Sequence, residues 1–191
     1  MGIRSFLAFS LPPEIRDVVG RVLGDLSGSS RDVKWVRPGS VHLTVVFLGD
    51  VDEASLPPVK QAAADVCRGF APFRLRVNGT GFFPNPRRPR VIWLGLDGDV
   101  QPMGRFRDAL QEALAPLGFA PERRPFRPHL TLGRFRKGGF PDDRLNAALE
   151  PHRNAAGPEC ALPELVLFRS DLRPTGAVYT ALERFPLEAD A

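Results

Sequence analysis

VHLTVVFLGD at residues 41–50 and RPHLTLGRFR at residues 127–136 share one run, His-Leu-Thr followed by an aliphatic residue, in a chain with only three histidines. Strand alternation decides how such a run folds. Successive side chains take opposite faces, so His42 and Thr44 point one way while Val41, Leu43 and Val45 point the other. His129 and Thr131 are opposed in the same way to Leu130 and Leu132. Each strand therefore turns one face to a core and presents an imidazole beside a hydroxyl on the other. By this parity Arg127 can reach the face of His129, with Pro125 and Pro128 blurring where the strand starts. Arg134 falls on the wrong face unless the strand twists or ends first.

Working outward, IRSFLAFSL (3–11) alternates as a strand, and PPEIRDVVGRVLGDL (12–26) has prolines at a helix start and apolar residues at helical spacing. WVRPGSVHLTVVFLGDV holds two short strands around a Pro38-Gly39 turn, and residues 52–70 form a helix opened by acidic residues and Pro57-Pro58. Two strands, 73–83 and 90–96, flank the proline-rich FPNPRRPR turn. An amphipathic helix over 100–118 ends at Gly118 and leads through PERRPFRP into the second histidine run. A short helix at DDRLNAALE and two strands, PELVLFRSDL and AVYTALERFPL, close the chain. This order lacks the regular alternation of a parallel α/β sheet. An α+β fold with antiparallel sheets follows, with each histidine strand in the middle of its half of the chain. Residues 1–191 are expected to make one bilobal domain, its lobes facing each other so that the two runs meet.

Bulk composition agrees. Of 191 residues, 43% are hydrophobic and 25% charged, with 18 Gly and 20 Pro, which excludes a disordered chain and implies many turns. The net charge of +4, with arginine well ahead of lysine, favours a phosphate-bearing partner, since guanidinium meets phosphate as a fork. The apolar part of MGIRSFLAFSLPPEI is too short for a signal peptide, Phe6 stands where a myristoylation motif needs Ser or Thr, and no stretch approaches a membrane span. Cys67 and Cys160 lack metal-site spacing and are expected as reduced buried thiols. A cytoplasmic monomer without membrane association is the expectation.

Two imidazoles on opposite sides of one centre suit in-line displacement at phosphorus. The attacking oxygen loses a proton on one side, the departing oxygen gains one on the other, and histidine serves both near neutral pH. Thr44 and Thr131 would hold the non-bridging oxygens. A cyclic phosphodiester fits, because its leaving oxygen stays tethered and water can be the nucleophile. No metal or cofactor is called for. A zinc site is the competing reading of the histidines, but two of them far apart, without a local Cys or His partner, make a poor ligand set. His152, in EPHRNAAGP, is expected as a solvated surface residue. Phe47, Phe82 and Phe83 are either core or stacking platforms for a base, and RRPR (87–90) and ERR (122–124) are candidate tracks for an RNA backbone.

The doubled run HLTV (42–45) and HLTL (129–132) resembles the His-x-Thr-x signature of the two-histidine phosphoesterases. RSFLAFSLPPEIR, VRPGSVHLTVVFLGDV, FPNPRRPRVIWLGL, RPFRPHLTLGRFR and VLFRSDLRPTGAVYTALERFPL extend the resemblance over nearly the whole chain, to the RNA 2′,3′-cyclic phosphodiesterase branch, also called the 2′-5′ RNA ligase family. The resemblance implies two pseudo-symmetric lobes with antiparallel sheets lining a central cleft and helices packed outside. It implies hydrolysis of RNA 2′,3′-cyclic phosphate ends to 2′-phosphates, with His42 as proton donor, His129 as proton acceptor, and Thr44 and Thr131 on phosphate oxygens. The residues themselves do not fix which histidine is acid and which base. Arg127 and Arg134 are further candidates for substrate binding. The family is also known for joining RNA ends through a reversible 2′-5′ linkage. Expected partners are RNAs with cyclic phosphate ends, tRNA fragments or small cyclic nucleotides among them. A non-catalytic RNA-binding module on the same fold is the alternative, and the intact threonines count against it.

Overall fold

The chain alternates strands and helices in the order β1 (Ile3–Phe9), α1 (Pro13–Leu26), β2 (Val33–Trp35), β3 (Leu43–Val51), α2 (Leu56–Cys67), β4 (Phe73–Phe83) and β5 (Val91–Gly98). It continues with α3 (Val100–Leu114), β6 (His129–Phe135), α4 (Asp143–Leu149), β7 (Cys160–Leu162), β8 (Glu164–Arg173) and β9 (Gly176–Pro186). The computed structural model describes residues 2–174 and 176–189; Met1, Thr175, Asp190 and Ala191 lie outside the described residues.

The strands form two antiparallel sheets, one in the order β3-β1-β8-β9 and one in the order β2-β6-β5-β4-β7. The fold is α+β with the two histidine strands in different sheets, as the sequence pattern predicts. Each sheet takes strands from both halves of the chain. β4 crosses from the first half into the second sheet, and β8 crosses back to lie beside β1. The matching runs are thus β1, α1, β3 in one lobe and β5, α3, β6 in the other.

Helical spacing of apolar residues explains how the outer layer attaches. α1 buries Ile15, Val18, Val19, Val22, Leu23 and Leu26, one face of a 3.6-residue repeat. α3 buries Met103, Phe106, Leu110 and Leu114 in the same way. Phe106 meets Phe9 of β1 and Phe73 of β4 at ring-centroid distances of 5.9 and 5.3 Å, tying both sheets to one core. Beyond α3, Gly118 takes φ +92°, the left-handed conformation in which only glycine avoids a Cβ clash, and the helical turn stops there.

Three departures from the sequence reading have local causes. Two strands flank a 3-10 turn at Pro38–Ser40, but only the first is short and they lie in different sheets: β2 ends at Trp35 and pairs with β6, and the nine-residue β3 pairs with β1. β7, a three-residue edge strand against β4, is too short to show a period. His152 is not solvated; its side chain is 15% exposed and its Nε2 lies 3.1 Å from Oδ2 of Asp25 on α1. Cys67 and Cys160 are both free and buried.

Candidate active site

Both histidines are held by the same local device. Nδ1 of His42 lies 2.9 Å from the Ser40 carbonyl oxygen, and Nδ1 of His129 lies 2.7 Å from that of Arg127. A carbonyl only accepts, so each Nδ1 carries the proton and donates it two residues back along the chain. Nε2 of each ring is thereby left for chemistry. Arg127 therefore serves the site through its backbone; its side chain is exposed. The segment that delivers His129 is anchored from α3, where the buried Arg107 donates to the carbonyls of Glu122 at 3.2 Å and Arg124 at 2.7 Å.

Ring contacts define which face of each sheet is the site. His42 stacks on Phe6 at 4.6 Å and meets Tyr179 edge-on at 4.9 Å. His129 meets Phe83 edge-on at 4.9 Å. Directly opposed residues in an antiparallel pair point to the same side. Thr44 lies opposite Ala8, two residues from Phe6 on β1, and Thr131 lies opposite Trp93, which packs on Phe83. Both threonines therefore share the face of their histidines, as strand parity predicts.

Past the threonines, parity breaks, and it breaks identically in both strands. β3 has a bulge between Thr44 and Val46, and β6 has one between Thr131 and Gly133. One extra residue flips the alternation of those that follow, in β3 as far as Phe47, after which Leu48 is a second extra residue. Phe47 then lies opposite Phe6, and Arg134 lies opposite Val91, which shares its face with Trp93. Arg134 thus faces the cleft, because the bulge supplies the break in alternation without which parity would turn it away. The bulges show in the burial pattern: Val45-Val46 and Leu132-Gly133 are consecutive buried positions where an unbroken strand would bury only alternate ones. Of the aromatic candidates, Phe82 packs into the core toward Phe135, Phe83 lines the site, and Phe47 is 54% exposed.

Electrostatics brings the lobes together. Burial pushes both imidazoles below the ordinary 6.5, their backbone hydrogen bonds oppose this, and Arg134 lowers both further. Tyr179 is raised above the usual phenol value by burial, against the pull of Arg134 and Arg4. One guanidinium is felt by His42 and Tyr179 in the first sheet and by His129 in the second. Lys34 sits directly across from Arg134 on β2, so the row Phe83, Val91, Arg134, Lys34 ends in two cations at the sheet edge. Arg87 and Arg88 occupy the β4–β5 connection near that end of β6, whereas Arg124 is paired to Glu122 before the start of β6. Among the described residues no three His, Cys, Asp or Glu side chains gather to hold a metal ion.

The lobes differ beside their histidines. A cavity of about 410 Å³ adjoins His42, walled by Phe6, Ser10, Arg16, Phe168, Tyr179 and Arg184. In the other lobe the position matching Ala8 is Trp93, whose indole lies so close over Gly81 that any Cβ there would collide with it.

The LigT-like phosphoesterase model matches this chain twice, over residues 9–93 and 94–179, with one histidine strand in each match. The chain belongs to the LigT-like phosphoesterase family. This LigT-like chain is 37% identical over 187 residues to the RNA 2′,3′-cyclic phosphodiesterase of Methanothermobacter thermautotrophicus, covering 98% of the chain and all (100%) of the relative. It is 35% identical over 193 residues to the protein of that name from Thermus thermophilus, with 98% and 92% covered. A crystal structure from Thermus thermophilus superposes with a TM-score of 0.82 at 32% identity, covering 99% of this chain and 100% of that one. Escherichia coli LigT complexed with 3′-AMP superposes with a TM-score of 0.76 at 25% identity, over 99% and 100%.

Proposed function

We propose that this protein is an RNA 2′,3′-cyclic phosphodiesterase that opens cyclic phosphate ends to 2′-phosphomonoesters. The observation that carries this is the pair of imidazoles from two sheets, each with Nδ1 tied to a carbonyl, Nε2 free, and one cleft-facing guanidinium acting on both. The names of its full-length relatives support the substrate.

In this reading water attacks phosphorus as His129 takes its proton, the bond from phosphorus to O3′ breaks, and His42 protonates O3′. The phosphate stays on O2′. Thr44 and Thr131 donate to the non-bridging oxygens, and Arg134 offsets charge that gathers there in the transition state. The cavity supports His42 as the acid: the leaving oxygen belongs to the nucleoside, and space for a nucleoside lies beside His42. Both imidazoles on their own sit below 6.5, and the substrate's negative charge restores the proton that the acid must carry. With the 5′-hydroxyl of a second RNA replacing water, the same path forms a 2′-5′ linkage.

Lys34 and Arg134 supply the start of a backbone track. We place the activity in a monomer in the cytoplasm, where two free buried thiols such as Cys67 and Cys160 stay reduced. No helix among the described residues is long and apolar enough to cross a membrane. The test is incubation with an RNA ending in 2′,3′-cyclic phosphate in the presence of chelator, followed by phosphorus NMR. A 2′-monoester is expected; no turnover, or a 3′-monoester, would overturn the reading.

A further inference from the structure

Two polar side chains lie buried one helical turn apart on α3: Arg107, 8% exposed, and Gln111, 7% exposed. The fully buried Met103, Phe106 and Leu110 share the helix with them, so a guanidinium there is costly unless its donors are met. They are met. Besides the Glu122 and Arg124 carbonyls, Asp108 accepts from Nη1 at 2.6 Å. With the Gln111 amide turned so that its oxygen faces these donors, that oxygen accepts from Nε of Arg107 at 3.2 Å and from the Glu122 N–H at 3.3 Å. The two side chains thus grip the N–H and carbonyl of Glu122 and the carbonyl of Arg124.

What they grip has little else to hold it. Among the described residues no backbone–backbone hydrogen bond involves residues 120–128, the stretch that runs up to His129. The first lobe meets the same need locally: Ser40 donates to the Arg37 carbonyl at 2.8 Å and Val41 to that of Pro38 at 3.2 Å, so a closed turn presents the carbonyl that His42 uses. It has no counterpart of the grip. Both helices start equally far ahead of their histidine, and on that alignment α1 carries Gly20 and Gly24 where α3 carries Arg107 and Gln111. We propose that Arg107 and Gln111 form a clasp that positions His129: by holding Glu122 and Arg124 they set where the Arg127 carbonyl lies, and with it the tautomer and aim of the His129 ring. The kinetic consequence rests on the role of His129 proposed above, whereas the effect on the ring does not. One histidine then leans on a local turn and the other on a helix, so the second can be disturbed alone.

Two variants and two readouts test it. Arg107→Met keeps an unbranched side chain and removes every donor, while Gln111→Met leaves the guanidinium and removes the acceptor that orients it. The first readout is nitrogen-15 NMR of the imidazoles at a pH where the rings are neutral. His42 and His129 are both expected to carry the proton on Nδ1 in the unaltered protein. In Arg107→Met, and to a smaller degree in Gln111→Met, His129 is expected to become a mixture of tautomers while His42 keeps its own. The second readout is kcat on a cyclic-ended oligonucleotide, expected to fall about tenfold or more in Arg107→Met with KM little changed, since misplacing a reacting group by about 1 Å can cost about 10²-fold. An unchanged His129 tautomer in Arg107→Met, or an equal change at His42, would overturn the clasp. If Arg107→Met does not fold, Gln111→Met decides, and an unchanged His129 ring there would overturn it. A His129 that loses its tautomer with kcat unaffected would instead overturn its role as the base, and failure of the unaltered protein to turn over would overturn the proposed activity while the spectra still judge the clasp.

Discussion

Arg134 and His42 belong to different sheets, yet the guanidinium adds to what burial does to the imidazole, and both lower its affinity for a proton. The same residue acts in the same direction on His129, two strands of one site thus sharing a single cation.

The first consequence is a pH profile. The base must be free of its proton and the acid must hold its own, so kcat/KM against pH is expected to be bell-shaped, with limbs that belong to the coupled pair. Because both imidazoles are lowered, the bell of the free enzyme is expected to be centred below 6.5. Arg134→Gln removes a positive neighbour from both, so the bell should move to higher pH while the rate falls. A profile that stays in place in this variant would remove Arg134 from the site.

The histidines are expected to act as a unit. His42→Ala or His129→Ala should each lower turnover by roughly 10²-fold to 10⁴-fold, and the double variant should be far less than multiplicatively worse. Single-turnover rates on a cyclic-ended oligonucleotide check this. Near-normal turnover in either single variant would sink the assignment.

Removal of one hydroxyl isolates the threonines. Thr44→Val and Thr131→Val keep the branched shape on a strand, so folding should survive while the transition state loses about 1 to 3 kcal/mol. Thermal unfolding and kcat measured together separate the two effects; unchanged kcat in both variants would make the threonines structural.

The edge row governs salt dependence. Lys34 extends the Arg134 row and has no ion-pair partner among the described residues, whereas Arg124 is paired to Glu122. Lys34→Gln is expected to reduce the slope of log affinity against log salt by about 0.7, the value for one single-stranded phosphate contact. Arg124→Gln should change the slope less. Equal slopes for Lys34→Gln and the unaltered protein would place the RNA backbone elsewhere.

Stability should also respond to acid. Histidines whose folded-state proton affinity lies below that of the unfolded chain favour folding fully above about 6.5 and lose that contribution as pH falls through their lowered values. Denaturant midpoints are therefore expected to decline on the acid side of 6.5, and by less in the His42→Ala, His129→Ala double variant.

Much of this was legible in the residues because strand parity is a short-range rule. His42, Thr44, His129 and Thr131 needed only alternation to be grouped, and the repeat itself forced two lobes. Arg134 was a candidate whose face parity alone turned the wrong way, because a bulge is a register event between strands, marked in β6 where Gly133 makes room for Val33 and Trp35 of β2. Phe6, Phe168 and Tyr179 were missed for a related reason. They reach His42 from strands at both ends of the chain, and no local spacing relates them. Arg107 looks from sequence like one more charge on an amphipathic helix, yet it is buried and holds the carbonyls that lead to His129.

The crossing of β4 and β8 between lobes bears on how the chain is made. Ser5 pairs with Arg169, so β1 keeps one edge open until β8, far later in the chain, has been synthesised. Neither repeat can close a sheet from its own strands, and a break between residues 93 and 94, where the two family matches meet, would leave both fragments with exposed strand edges. The unit that repeats and the unit that completes a sheet therefore do not coincide: each repeat carries half a site, while each sheet draws its strands from both halves of the chain.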